Sequence, residues 1–141
     1  MTNPTAAILI IGDEILTGRT REGNAHFLAG ELAQAGITLR QIRVIPDDHA
    51  GIVAAVRELA GAHDHLFTSG GIGPTHDDIT ADAVAEAFGR AIGVRDDARE
   101  ILARHYAARG VEFTEARMRM ARIPDGASLI DLLPNSQVPF G

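Results

Sequence analysis

The first clear pattern is a continuous apolar run, Ala6-Ala7-Ile8-Leu9-Ile10-Ile11, ended by Gly12-Asp13. Six apolar residues without alternation predict a strand covered on both faces. Asn24 is then placed to cap a helix whose apolar positions Phe27, Leu28, Leu32 and Ala35 recur at helical spacing, with Gly36 as its stop. Ile37, Leu39, Ile42 and Val44 predict a second strand closed by Pro46. Residues 49–60 return to the helical period through Ile52, Val53, Val56 and Leu59, with Gly61 as the stop, and residues 64–69 predict a third strand. After a glycine-rich stretch, Thr80 is the expected cap of a helix through Val84, Ala87 and Phe88, closed by Gly89, with Asp82 in its first turn. Asp97 and Glu100 stand in a capping-box relation at the start of another helix reaching Tyr106. A shorter helix is expected over 114–121 and a fourth strand over 128–133.

Strands alternating with helices of this length predict an α/β fold: a mostly parallel sheet, right-handed crossovers and helices on both faces, hence three layers. The sequence shows no internal repeat, low-complexity tract or linker, and 141 residues suit one domain. In a parallel sheet every strand ends at the same edge, and ligands of open α/β sheets bind there. That edge would gather Gly12-Asp13-Glu14, Pro46-Asp47-Asp48, the loop Ser69-Gly70-Gly71-Ile72-Gly73-Pro74-Thr75-His76-Asp77-Asp78, and Asn135-Ser136 after the fourth strand.

Composition narrows the chemistry. The chain has no Cys and its 13 basic residues are all Arg. Thiolate nucleophiles, Cys-ligated metals and disulfides are excluded, and so are Schiff-base lysines and a Walker A phosphate loop. With 19 acidic residues the net charge is −6, which argues against nucleic acid as a partner. The N-terminal residues lack the basic start and apolar stretch of a secretory signal, and no apolar run approaches a membrane span. The expectation is a cytoplasmic protein without membrane contact.

Carboxylates beside a glycine-rich loop suit a divalent cation such as Mg²⁺ bridging them to phosphate oxygens. The glycines let backbone N–H groups form an anion nest, and the helix from Thr80 adds its positive end. Asp and Gly are equally ordinary turn and cap residues, so a single carboxylate pair says little. Three such pairs on one edge, and three Gly, a Pro and two Asp within nine residues, say more. Gly71-Ile72-Gly73 lacks the third Gly of a dinucleotide fingerprint, and Ser69 has no nucleophile elbow around it. His63 and His65 read as a solvent-facing pair, and His49 and His76 as polar loop residues that can join the site. Arg117, Arg119 and Arg122 read as a solvated helix face, or alternatively as a phosphate grip.

Gly12-Asp13-Glu14-Ile15-Leu16, Pro46-Asp47-Asp48 and Thr68-Ser69-Gly70-Gly71-Ile72-Gly73-Pro74-Thr75-His76-Asp77-Asp78-Ile79-Thr80 together resemble the molybdopterin-binding (MoaB/Mog-like) domain family. The Gly-Pro-Thr-x-Asp-Asp-Ile-Thr form of the loop is most similar to the branch formed by the N-terminal domain of competence/damage-inducible protein A (CinA) and its stand-alone relatives. The resemblance implies an α/β/α sandwich whose Gly-rich loop binds a pterin phosphate, with carboxylates assisting Mg²⁺-dependent adenylyl transfer. In the CinA-like branch it implies metal-dependent hydrolysis of ADP-ribose-type pyrophosphates. Carried onto this sequence, the acids are Asp47 and Asp78, as metal-binding and catalytic residues. Gly12, Asp13, Glu14, Ser69, Gly70, Gly71, Ile72, Gly73, Pro74, Thr75, Asp77, Thr80, Asn135 and Ser136 are the expected ligand-binding positions. Ile72 replaces the Thr of the molybdenum-cofactor enzymes, which favours the hydrolase-like branch. The ligand would be a pterin or nucleotide phosphate, molybdopterin included, and the assembly a homodimer or homotrimer. The alternative is a non-catalytic binding module of a longer protein. After Pro124-Asp125-Gly126-Ala127 the family's Gly-x-Ala-Pro-Gly stretch is imperfect here, and its further strand and helices are expected beyond residue 141.

Overall fold

The computed structural model describes residues 2–130, and the chain divides into two compact units, Met1–Gly71 and Ile72–Gly141. The first unit runs β1 (Thr5–Ile11), α1 (Asp13–Leu16), α2 (Asn24–Gln34), β2 (Thr38–Ile45), α3 (His49–Ala62) and β3 (His65–Ser69). Its sheet is wholly parallel in the order β2-β1-β3. The apolar run thus becomes the central strand, and Ala6 to Ile11 are each no more than 2% exposed. Alternate residues of a strand face opposite sides. Ala6, Ile8 and Ile10 pack against Ala25 and Leu32 of α2, with Leu28, Leu39, Val44 and Phe67 around them. Ala7, Leu9 and Ile11 point the other way, where α3 lies against β1 and β3 and buries Ile52, Val53, Val56 and Leu59. Each fully buried aliphatic side chain contributes about 1.5–3 kcal/mol, so this strand and its two helices form the energetic centre of the unit.

The spacing of the second strand has a structural cause. Ile37 and Leu39 are odd-numbered and Ile42 and Val44 even, a slip of one residue in a period of two. The β1–β2 register moves from Ala6↔Leu39 to Ala7↔Gln41, leaving Arg40 as the extra residue of a bulge. Leu39 and Val44 thereby reach the same core face. Arg43 is turned to the α3 side and pairs with Glu58 at 3.0 Å.

Helix ends follow their local chemistry. Gly36, at φ 77°, donates to the Ala33 carbonyl while Ile37 donates to Leu32, which closes α2. Asp48 caps α3 by accepting from the Gly51 N–H at 2.8 Å. Two expectations change. Asn24 is the first helical residue of α2, and the capping acceptor is the Glu22 carboxylate, which takes the Asn24 and Ala25 N–H groups at 3.2 and 3.0 Å. Gly61 lies inside α3, which runs on to Ala62 and ends where His63 turns extended.

The second unit contains α4 (Thr80–Ala87), β4 (Ile92–Val94), α5 (Asp96–Ala108), α6 (Glu115–Met118), a 3-10 turn (Arg119–Ala121) and β5 (Arg122–Pro124). β4 and β5 form a short antiparallel pair that no three-residue pattern in the sequence announces. Ala98, Leu102 and Ala121 make its buried centre, with Tyr106, Phe113, Met120, Ile123 and Leu129 packed around. Asp82 of α4 pairs with Arg122 of β5 at 2.6 Å. Thr80 begins α4 as a buried helical residue, and the N-cap position falls to Ile79. The expected capping box is replaced as well, because Asp97 pairs with Arg95 at 2.6 Å and Glu100 pairs with Arg104. Residues 128–130 are not in a strand, and the remainder of the expected fourth strand, residues 131–133, lies outside the described residues. Among the described residues, no helix is long and apolar enough to cross a membrane.

One tie joins the amino-terminal edge of the first sheet. The Asp64 carboxylate accepts from the Thr5 N–H at 2.8 Å and from the Thr5 hydroxyl at 3.3 Å, while the Asp64 N–H donates to the Thr5 hydroxyl oxygen. The Thr5 backbone bond holds the Asp64 carboxyl below its ordinary range, since these bonds need the charged form. With the folded value depressed, the stabilisation is complete above the unfolded carboxylate range and fades as pH falls through the lower folded value. Asp64→Asn should therefore lower Tm at pH 7 and narrow its gap to the wild type in melts taken toward pH 3; a constant gap across that window would remove Asp64 ionisation from the stability of the fold.

Candidate functional site

Parallel strands deliver the segments after β1, β2 and β3 to one rim, and the first unit builds that rim from Gly12-Asp13-Glu14, Pro46-Asp47-Asp48 and Ser69-Gly70-Gly71. The segments are joined by specific contacts. Gly12 N–H donates to the Ile45 carbonyl at 3.0 Å, and the Asp47 N–H donates to Asp13 Oδ1 at 3.1 Å. Asp13 and Asp47 therefore stand together at the ends of neighbouring strands. Asp47 is half-buried with Oδ1 fully covered, while Asp13 is exposed. Asp13 and Glu14 lie in the short helix α1, where the sequence suggested a loop. The Glu14 carboxylate folds back over Gly12, where a Cβ would stand 2.6 Å from its Oε1. Asp48, the second acid of its pair, is engaged as the α3 cap.

At the end of β3 the backbone itself demands glycine. Gly70 has φ 100°, and a Cβ there would lie 2.0 Å from the Ile11 carbonyl oxygen. The crowding comes from β1, so Gly70 is needed for strand packing whatever the loop binds. Gly71 is also at positive φ, 66°. Ser69, half-buried at the end of β3, accepts a hydrogen bond at 2.8 Å from Asn24 Nδ2 of α2. Sequence reasoning treated Asn24 only as a cap, and the pairing joins residues 45 apart that no local pattern connects.

Ile72 opens the second unit, and there the loop is organised around Asp78. Its Oδ2 accepts from the Thr75 N–H at 3.0 Å and the Thr75 hydroxyl at 2.8 Å, and the Asp78 N–H donates to the Thr75 carbonyl. Gly73 sits tightly beneath this clasp, since a Cβ would come within 2.7 Å of Asp78 Oδ2. Thr75, expected to cradle phosphate, is thus turned to Asp78. Asp77 faces solvent beside His76, whose Nε2 lies 3.3 Å away, and Ile72 is exposed. Pro74 is half-buried. Asn135 and Ser136 lie outside the described residues. The Arg cluster divides: Arg117 stacks over the Tyr106 ring at 5.2 Å and Arg122 pairs with Asp82.

The donor set bears on a metal. Among the described residues no group of three or more His, Asp or Glu is gathered to hold an ion alone. The rim does offer all-oxygen donors on adjacent strand ends, Asp13 and Asp47. Mg²⁺ is ordinarily held by one or two carboxylates plus phosphate and water, so these residues fit a cation shared with a phosphate ligand, and a protein-only cage does not fit.

Residues 7–138 match the family described as "Probable molybdopterin binding domain", and the chain belongs to that family. A Metallosphaera sedula protein is 39% identical over 127 residues, covering 89% of this chain and 48% of its own length. A Caenorhabditis elegans protein named "Probable FAD synthase" is 48% identical over 100 residues, 71% of this chain and 19% of that protein. The chain thus spans about half the archaeal relative. Among solved structures, CinA of Thermoplasma acidophilum, a protein of unknown function, superposes with a TM-score of 0.79 at 34% identity, covering 87% of this chain and 72% of that one. The fold is accordingly a parallel α/β, molybdopterin-binding-like domain related to CinA.

The close approach at Gly70 yields a stability test. Gly70→Ala combines left-handed backbone strain with a steric clash and should cost about 2–4 kcal/mol in urea unfolding. Gly30→Ala, on the exposed face of α2 with open space around it, should instead stabilise by about 0.5–1 kcal/mol. A neutral Gly70→Ala would show that β1 does not impose the glycine.

Proposed function

We propose that the rim binds the phosphate of a nucleotide or pterin together with a divalent cation such as Mg²⁺, and that the domain hydrolyses ADP-ribose-type pyrophosphates. The observation carrying this reading is the Asp13–Asp47 pair, two acids at the ends of adjacent parallel strands beside a glycine-bearing loop, joined by the Asp47 backbone N–H donating to the Asp13 carboxylate. In an acidic chain without Lys, bringing a phosphate to that edge calls for a cation. The cation would neutralise phosphate charge and polarise the phosphoanhydride. Asp47 would hold it, with Asp13 fixing the Asp47 backbone, and Gly70-Gly71 would let the ligand approach the backbone closely. Asp78, the other acid that the family resemblance points to, shapes its own loop through Thr75.

The reaction adds water across one P–O–P bond, breaking one P–O bond and giving two phosphomonoesters, so ADP-ribose would yield AMP and ribose 5-phosphate. No covalent enzyme intermediate is needed. The similarity to a protein named probable FAD synthase supports a ligand of this class, since FAD is itself a dinucleotide joined by a pyrophosphate. The family description, which names binding alone, favours the second reading: a molybdopterin- or nucleotide-binding module, with adenylyl transfer as its molybdenum-cofactor variant.

Purified protein with ADP-ribose and Mg²⁺ should release AMP, lose that activity with EDTA, and regain it when Mg²⁺ is restored. Asp47→Asn and Asp78→Ala should each lower kcat by about 100-fold or more, the scale of losing a group that stabilises developing charge. Tight binding of ADP-ribose or molybdopterin without product release would establish the binding module; turnover unchanged in both variants would remove the two acids from the reaction.

A further inference from the structure

Asn24 and Ser69 come from the first turn of α2 and the last residue of β3, and the Asn24 Nδ2 donates to Ser69 Oγ at 2.8 Å. A serine hydroxyl carries one proton and two lone pairs. The contact with Asn24 occupies a lone pair and leaves the proton unused, and among the described residues no acceptor takes it. Ser69 is half-buried and directly precedes Gly70, so this donor stands on the rim at the end of the strand beside β1. The first two N–H groups of α2 cannot substitute for it, because the Glu22 carboxylate covers them and would repel an anion. We infer that Asn24 is a positioning residue: by donating to Ser69 it fixes the Ser69 hydroxyl as a hydrogen-bond donor to an anionic, acceptor-only ligand group, of which a phosphate oxygen is the chemical type. The inference rests on the phosphate-binding reading above and adds to it a residue and a polarity.

The amide is essential to this arrangement and its shape is not. Asp at position 24 would keep the size and place of the side chain while reversing its role, since a carboxylate accepts and would draw the Ser69 proton to itself. It would also bring a negative charge to a rim that already carries Asp13, Glu14 and Asp47. Asn24 acts only through Ser69, so removing both partners should be no worse than removing Ser69.

The test is titration calorimetry of the full chain with ADP-ribose in Mg²⁺, on Asn24→Asp, Ser69→Ala, the double variant and Ser69→Thr, each checked for an intact melting transition. Asn24→Asp and Ser69→Ala should each weaken binding by about tenfold or more, as expected on losing a hydrogen bond to a charged group. The double variant should fall within about threefold of Ser69→Ala, a non-additivity expected of directly coupled residues. Ser69→Thr, which keeps a hydroxyl, should recover most of the loss seen with Ser69→Ala. Where turnover is measured, the Asn24→Asp defect should appear in KM with kcat little changed. Wild-type binding that Asn24→Asp leaves intact, or losses that add in the double variant, would overturn the role of Asn24 while leaving the phosphate site standing. A wild type that binds neither ADP-ribose nor AMP would overturn both. If Asn24→Asp fails to fold, the comparison of Ser69→Ala with Ser69→Thr still decides whether the hydroxyl reaches the ligand.

Discussion

Two-sided burial of β1 is the constraint from which the first unit follows. A strand with every residue from Ala6 to Ile11 enclosed has no face for water, so helices must cover both sides and backbone partners must stand on both edges. Parallel neighbours meet that demand here, because each returns to the sheet through a helix long enough to bury one face of it. The same geometry sends the ends of all three strands to one rim. The hydrophobic demand of the core and the placement of the polar residues are therefore one fact seen from two sides. Asp13 and Asp47 are neighbours because Ile11 and Ile45 are paired across the sheet.

At the rim, close packing and polar chemistry divide the labour of the glycine-rich stretch. Gly70 answers to the Ile11 carbonyl and Gly73 to the Asp78 carboxylate. A stretch that suggests a uniform phosphate nest thus holds one glycine imposed by strand packing and another imposed by an internal turn. What remains for a ligand is more limited than the composition of the loop suggests.

Counting carboxylates in the sequence overstates the negative charge free to meet a ligand or a metal. Asp48 caps α3, Glu22 caps α2, and one oxygen of Asp78 is held by Thr75. Asp13 supports the backbone of Asp47. The acidic residues fall into those that finish helices and turns and those left for chemistry, and the division is made by hydrogen bonds a few ångströms long. Asn24 shows the converse. A residue that resembles a helix cap leaves capping to Glu22 and directs its amide to the neighbouring strand end.

The strand buried on both faces, the two helices that cover it and the parallel sheet were legible in the sequence because continuous burial and helical spacing are local properties written residue by residue, and the family was legible in its three loop motifs. The bulge at Arg40 went unread, and only the β1–β2 register explains the one-residue slip in the spacing of Ile37, Leu39, Ile42 and Val44. The three-residue strands β4 and β5 were not legible, since so short a segment has no period and its pairing depends on residues about 30 positions away. Nor could the sequence tell which acids cap and which remain, or that Asn24 meets Ser69. Those assignments depend on distances between elements remote along the chain, and only the packed tertiary structure sets them.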